Sequence, residues 1–232
     1  MLKKYLQSIA DIKLIFSFVN PIVTHNLHDL FFIKFTDIRV YDTKFISNKS
    51  ATQLWNDFRT GNEDAYTNLM KIFTNPMFRY GIRFVNNEDF VKDCIQDIFF
   101  ELWNRREKIR QAESVKAYLF KALRLKIFRE KSKWESSESL DDNYEFIIEF
   151  DVETSIIKQE LSQEICLKLH KILHNLPKRQ KEIMYLRFYE GMDQDKIAEV
   201  MGLNRQSVYN LLHESILRLR KYWLKSPVYY CL

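Results

Sequence analysis

The sequence predicts an all-α protein made of two small helical domains joined by an acidic linker. Three observations carry this. Gly and Pro number only four each in 232 residues, too few for the tight turns of a sandwich or barrel. From Thr52 onward, apolar residues recur at the 3.6-residue period of helices that bury one face. Charge is also segregated: residues 135–165 hold ten acidic groups and one basic, whereas residues 51–134 carry a net +5 and residues 166–232 a net +6.

The elements follow in order. Leu54, Trp55 and Phe58 precede a break at Gly61-Asn62. A helix through Ala65, Leu69, Met70 and Phe73 is expected to stop at Pro76, with another from Met77 to about Val85. From Glu88 to about Arg106 the apolar pairs Phe90/Val91, Cys94/Ile95, Ile98/Phe99 and Leu102/Trp103 step by four and mark one buried stripe. Opposite it, Asp93, Asp97 and Glu101 form an acidic ridge at i, i+4, i+8, flanked by Gln96. Ser114 is placed to cap a helix from Val115 to about Lys131. Tyr118/Leu119 and Ala122/Leu123 form its core side; Lys116, Phe120, Lys121, Arg124 and Phe128 lie elsewhere on it. Aromatics interleaved with cations suit stacking on unpaired bases with phosphate contact. The competing reading makes Phe120 and Phe128 a second buried stripe.

Residues 135–155 read as a Ser-rich acidic linker holding a short apolar anchor, Phe146-Ile-Ile148, and helix resumes from about Ser155 to His174. Leu176-Pro177 opens the next helix, with Pro in its first turn, and Gly191 closes it. Asp193 caps a short helix, Gly202-Leu203-Asn204 makes the turn, and a long helix runs on from Arg205. Ala198, Gly202 and Val208 stand where a helix-turn-helix needs a small residue, a left-handed turn residue and an apolar packing residue; an ordinary helical hairpin is the plainer alternative. In a helix-turn-helix the second helix enters the major groove, so Arg205, Gln206, Ser207, Tyr209, Asn210 and His213 are the candidate contacts to bases and phosphates.

With these residues in place, the chain resembles bacterial RNA polymerase sigma factors of the extracytoplasmic-function (ECF) type over about residues 52–225. Asp93-Cys-Ile-Gln-Asp-Ile-Phe-Phe-Glu-Leu-Trp103 is similar to the core of region two, and Ser114-Val-Lys-Ala-Tyr-Leu119 to the start of the promoter-melting helix. Leu176-Pro177, Gly191, Ile197-Ala198, Gly202-Leu203, Ser207-Val208 and Leu219-Arg220 resemble region four. The resemblance implies that Asp93, Gln96, Asp97 and Glu101 bind the polymerase core enzyme. It implies that Lys108, Arg110, Lys116, Phe120, Lys121 and Arg124 serve the −10 element of promoter DNA, and that the helix from Arg205 reads the −35 element. The linker would thread toward the RNA exit path. An anti-sigma factor is the expected regulator. The family's Asn and Asp in the second half of the melting helix are replaced here by Leu125 and by Phe128 or Arg129.

The implied domains are an extension at 1–50, region two at 51–133, the linker at 134–157, region four at 158–225 and a tail at 226–232. Other chemistries find little support. Three Cys without a C-x-x-C pair give neither a disulfide framework nor a common zinc module. No nucleophile elbow, Walker loop or H-E-x-x-H motif occurs, so no catalytic residue, metal or cofactor is expected. Cys166, His170 and His174 cannot all converge on one ion from a straight helix. Leu14 to Val19 is too short to span a membrane, so no membrane insertion and a cytoplasmic location are expected. The alternative function is a free-standing helix-turn-helix regulator, for which the ridge of Asp93 to Glu101 would be idle.

Overall fold

The computed structural model describes residues 50–135, 144–148 and 171–225, and every regular element among them is helical. By their contacts the described residues form two units: one takes in residues up to 146 together with 193–205, the other residues 147–192 and 206 onward. The sequence readings of residues 1–49, of most of the linker and of the Cys166/His170 pair lie outside the described residues.

The first unit takes four helices from residues 50–135. Helix α1, Ala51–Arg59, starts in a reciprocal capping box, in which Gln53 N–H donates to Ser50 Oγ and Ser50 N–H to Gln53 Oε1. Its buried Leu54, Trp55 and Phe58 recur at helical spacing. Gly61, at φ 91°, makes the turn that the sequence break implied. Helix α2, Glu63–Gly81, is capped by Asn62 and carries Glu63 and Asp64 in its first turn, where carboxylates suit the helix dipole.

Pro76 lies inside α2 and does not end it, which corrects the expectation of two helices. The ring removes one backbone donor. The stripe of Phe73, Met77 and Tyr80 continues unbroken across it, so burial on both sides of the proline holds the helix together.

Helix α3, Glu88–Arg105, capped by Asn87, buries Phe90, Val91, Cys94, Ile95, Ile98, Phe99 and Leu102, the stripe read from the steps of four. Helix α4 runs Val115–Glu135, with Ser114 Oγ accepting from Ala117 N–H as its cap. Helix α2 packs against α1, α3 and α4, and α4 also meets α1 and α3. The α2–α3 crossing is close: a Cβ built on Gly81 would lie 2.6 Å from Val91 Cγ1.

In the second unit, α5 spans Lys178–Met184 and passes into one π-helical stretch, Tyr185–Tyr189, in which Glu190 N–H bonds to Tyr185 O. Pro177 occupies the N-cap of α5, one place earlier than the sequence suggested. The extra residue of the π turn lets Tyr185 and Tyr189 stack at 4.7 Å, with the Tyr185 hydroxyl donating to buried Glu190. Helix α6, Gln194–Met201, which the contacts group with the first unit, begins on Asp193, whose carboxylate accepts from Lys196 N–H. It ends on Gly202 in the left-handed region at φ 65°, with Leu203 N–H returning to Ala198 O. Helix α7, Arg205–Lys225, follows at once. Helix, turn and helix therefore fall at the places read from the sequence.

Candidate core-binding and nucleic-acid surfaces

Helix α3 presents Asp93, Gln96, Asp97 and Glu101 on its exposed side. The ridge is not a bare row of acids. Lys126 reaches across from α4 and places its Nζ 2.7 Å from Asp97 and 3.6 Å from Glu101. The Lys126 side chain is only 11% exposed. Burial alone would lower its pKa, but the hydrogen bond to Asp97 and the charges of Asp97 and Glu101 raise it, so the ammonium is charged at neutral pH. Two of the three ridge carboxylates thus have an internal counterion. Phe100 stands 65% exposed on the same helix, an apolar residue that the reading of the ridge passed over.

The loop between α3 and α4 is pinned from α1. Arg59 Nε donates to Ile109 O at 2.7 Å, and Trp55 Nε1 donates to Arg110 O at 3.3 Å. These bonds satisfy loop carbonyls and fix the backbone while the side chains of Lys108 and Arg110 stay exposed. Lys116 and Lys121 are half-buried at the start of α4, with Lys116 Nζ 5.5 Å from the Phe120 ring.

Two assignments on α4 are corrected. Phe120 is fully buried, its ring stacked on Tyr80 of α2 at 4.9 Å, so no nucleic-acid base can reach it there. Arg124 is 5% exposed, with its guanidinium 4.4 Å from the Phe128 ring. Phe128 is buried too, edge-on to Phe84 at 5.4 Å. The competing reading, a second buried stripe, holds for both aromatics, because α4 has neighbours on more than one side.

On α7, Arg205, Gln206, Asn210 and His213 are exposed, and Ser207 and Tyr209 half-buried, while Val208 and Leu212 are buried. The polar side chains therefore share one helix face. Gln206 Nε2 donates to Asn210 Oδ1 at 2.9 Å, and the Tyr209 and His213 rings lie nearly parallel at 6.1 Å. Arg205 Nε is 3.4 Å from Asp195 of α6, an exposed pair across the turn that a phosphate could displace at small cost.

Among the described residues, no group of three or more His, Cys, Asp or Glu is placed to hold a metal ion, and no helix is long and apolar enough to cross a membrane. Cys94 is a buried thiol, pushed up to about 11 chiefly by burial.

A capped helical bundle with a cationic loop, followed by a helix-turn-helix, defines a class of all-helical nucleic-acid-binding proteins. Comparison with known proteins narrows it. Residues 166–219 match the family model "Sigma-70, region 4". The RNA polymerase sigma factor SigV of Bacillus subtilis (strain 168) is 27% identical over 143 residues, which cover 62% of this chain and 81% of SigV. YlaC, an RNA polymerase sigma factor of the same organism, is 21% identical over 166 residues, 70% of this chain and 94% of YlaC. The fold is like that of CnrH, solved in complex with the cytosolic domain of CnrY, with a TM-score of 0.50 and 18% identity, covering 77% of this chain and all of that one. The chain is thus similar to RNA polymerase sigma factors over most of its length, and residues 166–219 match their region four.

Proposed function

We propose that this sigma factor binds the polymerase core enzyme through α3 and directs it to promoters with two separate DNA-reading blocks. Asp93, Gln96, Asp97 and Glu101 form the polar part of the core-binding surface. Lys108 and Arg110 on the pinned loop, with Lys116 and Lys121 at the start of α4, meet the −10 element. Arg205, Gln206, Ser207, Tyr209, Asn210 and His213 on α7 read the −35 element as duplex. Region two then corresponds to residues 51–133, the linker to 134–157 and region four to 158–225. The protein acts as a cytoplasmic, non-enzymatic initiation subunit, with an anti-sigma factor as its regulator.

The observation that carries this reading is the pairing of an exposed acidic helix face with a helix-turn-helix in one chain. A helix-turn-helix regulator acting without polymerase has no use for the first. A bidentate base contact contributes about 1–3 kcal/mol of discrimination, so neither block alone is expected to bind tightly. The linker makes the second contact intramolecular. The test is closed-complex formation by the reconstituted holoenzyme. Arg205→Ala should weaken docking on a duplex promoter and leave binding to a pre-melted template without the upstream element unchanged. Equal loss on both templates would refute the division of labour.

A further inference from the structure

Lys126 stands between two sets of carboxylates. On one side are Asp97 and Glu101 of α3, 2.7 Å and 3.6 Å from its Nζ. On the other is Glu130, one turn further along α4 itself, at 4.0 Å. The free chain holds the ammonium toward α3. Glu130 already has two other cations, with Lys133 Nζ at 2.9 Å and Arg129 Nε at 3.6 Å. The Lys126 side chain is 11% exposed, whereas those of Asp97 and Glu101 are 59% and 49% exposed. The cation thus sits on the inner side of the two carboxylates, and their outer side is open to a partner.

A basic partner and Lys126 draw on the same oxygens. A carboxylate already paired with an ammonium attracts a second cation less, because the nearer positive charge offsets its own and repels the newcomer. A partner ammonium therefore exchanges like for like at this face. A guanidinium gains by the exchange, since its planar fork can bond both oxygens of one carboxylate at once. Glu130 gives the displaced lysine a second acceptor within reach, so its release leaves no buried charge alone. We propose that Lys126 is an internal competitor for the core-binding face: a guanidinium of the polymerase core takes Asp97 and Glu101 from it, and Lys126 turns to Glu130.

The inference rests on the reading of α3 as the core-binding helix, and it adds a residue on a different helix that sets how tightly that face binds and which cation it accepts. Lys126 acts through Asp97 and is a positioning residue. The opposite role, a prop that holds the carboxylates ready for the partner, predicts effects of opposite sign.

The experiment titrates the full chain onto bacterial core enzyme, with every variant checked by thermal melting. Lys126→Met should bind core about tenfold more tightly, the order expected when one charge-assisted hydrogen bond no longer has to be exchanged. Lys126→Arg keeps the charge and makes the internal competitor bidentate, so it should bind more weakly than the parent. Asp97→Asn should cost little in the parent and markedly more beside Lys126→Met, a coupling that a lysine with only a structural role would not produce. Parental or weaker binding by folded Lys126→Met overturns the proposal. Should that variant fail to fold, Lys126→Arg decides, and binding equal to or tighter than the parent's overturns it. Asp93→Lys separates the premise from the proposal. If it weakens core binding while Lys126 and Asp97 show no coupling, the competitor falls and α3 stands as the binding face. If Asp93→Lys and Asp97→Asn both bind as the parent does, in either background, α3 is not that face and the proposal falls with it.

Discussion

Reversing the charge of Asp97 should harm the fold, whereas reversing Asp93, one turn away on the same exposed face, should not. From the sequence alone the two positions are equivalent. In the structure, Asp97 accepts a 2.7 Å hydrogen bond from Lys126, whose side chain is 11% exposed and whose Nζ also lies 3.6 Å from Glu101. A charge-assisted bond of this kind with one partly exposed partner contributes about 1–2 kcal/mol. Asp97→Lys removes it and sets two ammonium groups near each other. At about 4 Å and an effective dielectric of about 20 they repel by about 4 kcal/mol, of which a long side chain swinging into water relieves most. A net loss of about 2–3 kcal/mol is expected, which lowers Tm by about 10 °C or more for a unit of this size. Asp93→Lys, at an exposed site, should shift stability by less than about 0.5 kcal/mol. Thermal melts of both variants and of the exchanged pair Asp97→Lys/Lys126→Asp supply the comparison, with the exchanged pair recovering much of the loss. Equal melting temperatures for Asp93→Lys and Asp97→Lys would refute the argument and return Lys126 to solvent.

Other expectations come from the same geometry. Gly81→Ala brings a methyl within 2.6 Å of Val91 Cγ1, and a β-branched side chain on a helix has little rotamer freedom to yield. It should cost about 1–3 kcal/mol in denaturant titration despite alanine's better helix propensity, and adding Val91→Ala should relieve the clash. Phe120→Ala should lower the unfolding free energy by about 3–5 kcal/mol, as for other buried aromatics; a variant with parental stability but defective strand opening would show the ring to be a DNA contact after all. Cys94, with its thiol pushed up to about 11, should resist alkylation near pH 8 in the folded chain and react once denaturant is added, as peptide mass mapping would show. Fast modification without denaturant would contradict its burial.

How far the sequence discloses all this depends on the range of the interaction. Local signals are legible. The stripe of α3 steps by four and is buried as read except at half-buried Trp103, and Ser50, Asn62, Asn87, Ser114 and Asp193 cap helices because short polar side chains reach backbone donors three residues on. Gly202 takes the left-handed turn because a side chain there is strained. Partners distant in the chain are not legible. Nothing near Phe120 announces Tyr80, nothing near Arg124 announces Tyr144, and nothing near Ile109 announces Arg59. Helix α4 is the hard case, since a helix with neighbours on several sides scatters its apolar residues and blurs the distinction between core and binding face. Pro76 misled for a related reason: the local rule against proline in a helix yields to burial contributed by other helices. The ridge of α3 was read in its residues and missed in its electrostatics, because Lys126 lies on another helix.

The central claim is that this chain initiates transcription as a subunit of RNA polymerase, with α3 holding the core enzyme. Run-off transcription by bacterial core enzyme, with promoter templates selected from genomic fragments, tests it most directly when the parent is compared with Asp93→Lys. The parent should yield a discrete run-off product that core alone does not make. Asp93→Lys should melt like the parent and need markedly more protein to reach the same yield. A chain that binds the same DNA but yields no product with core, or an Asp93→Lys variant that saturates core as the parent does, would contradict the account.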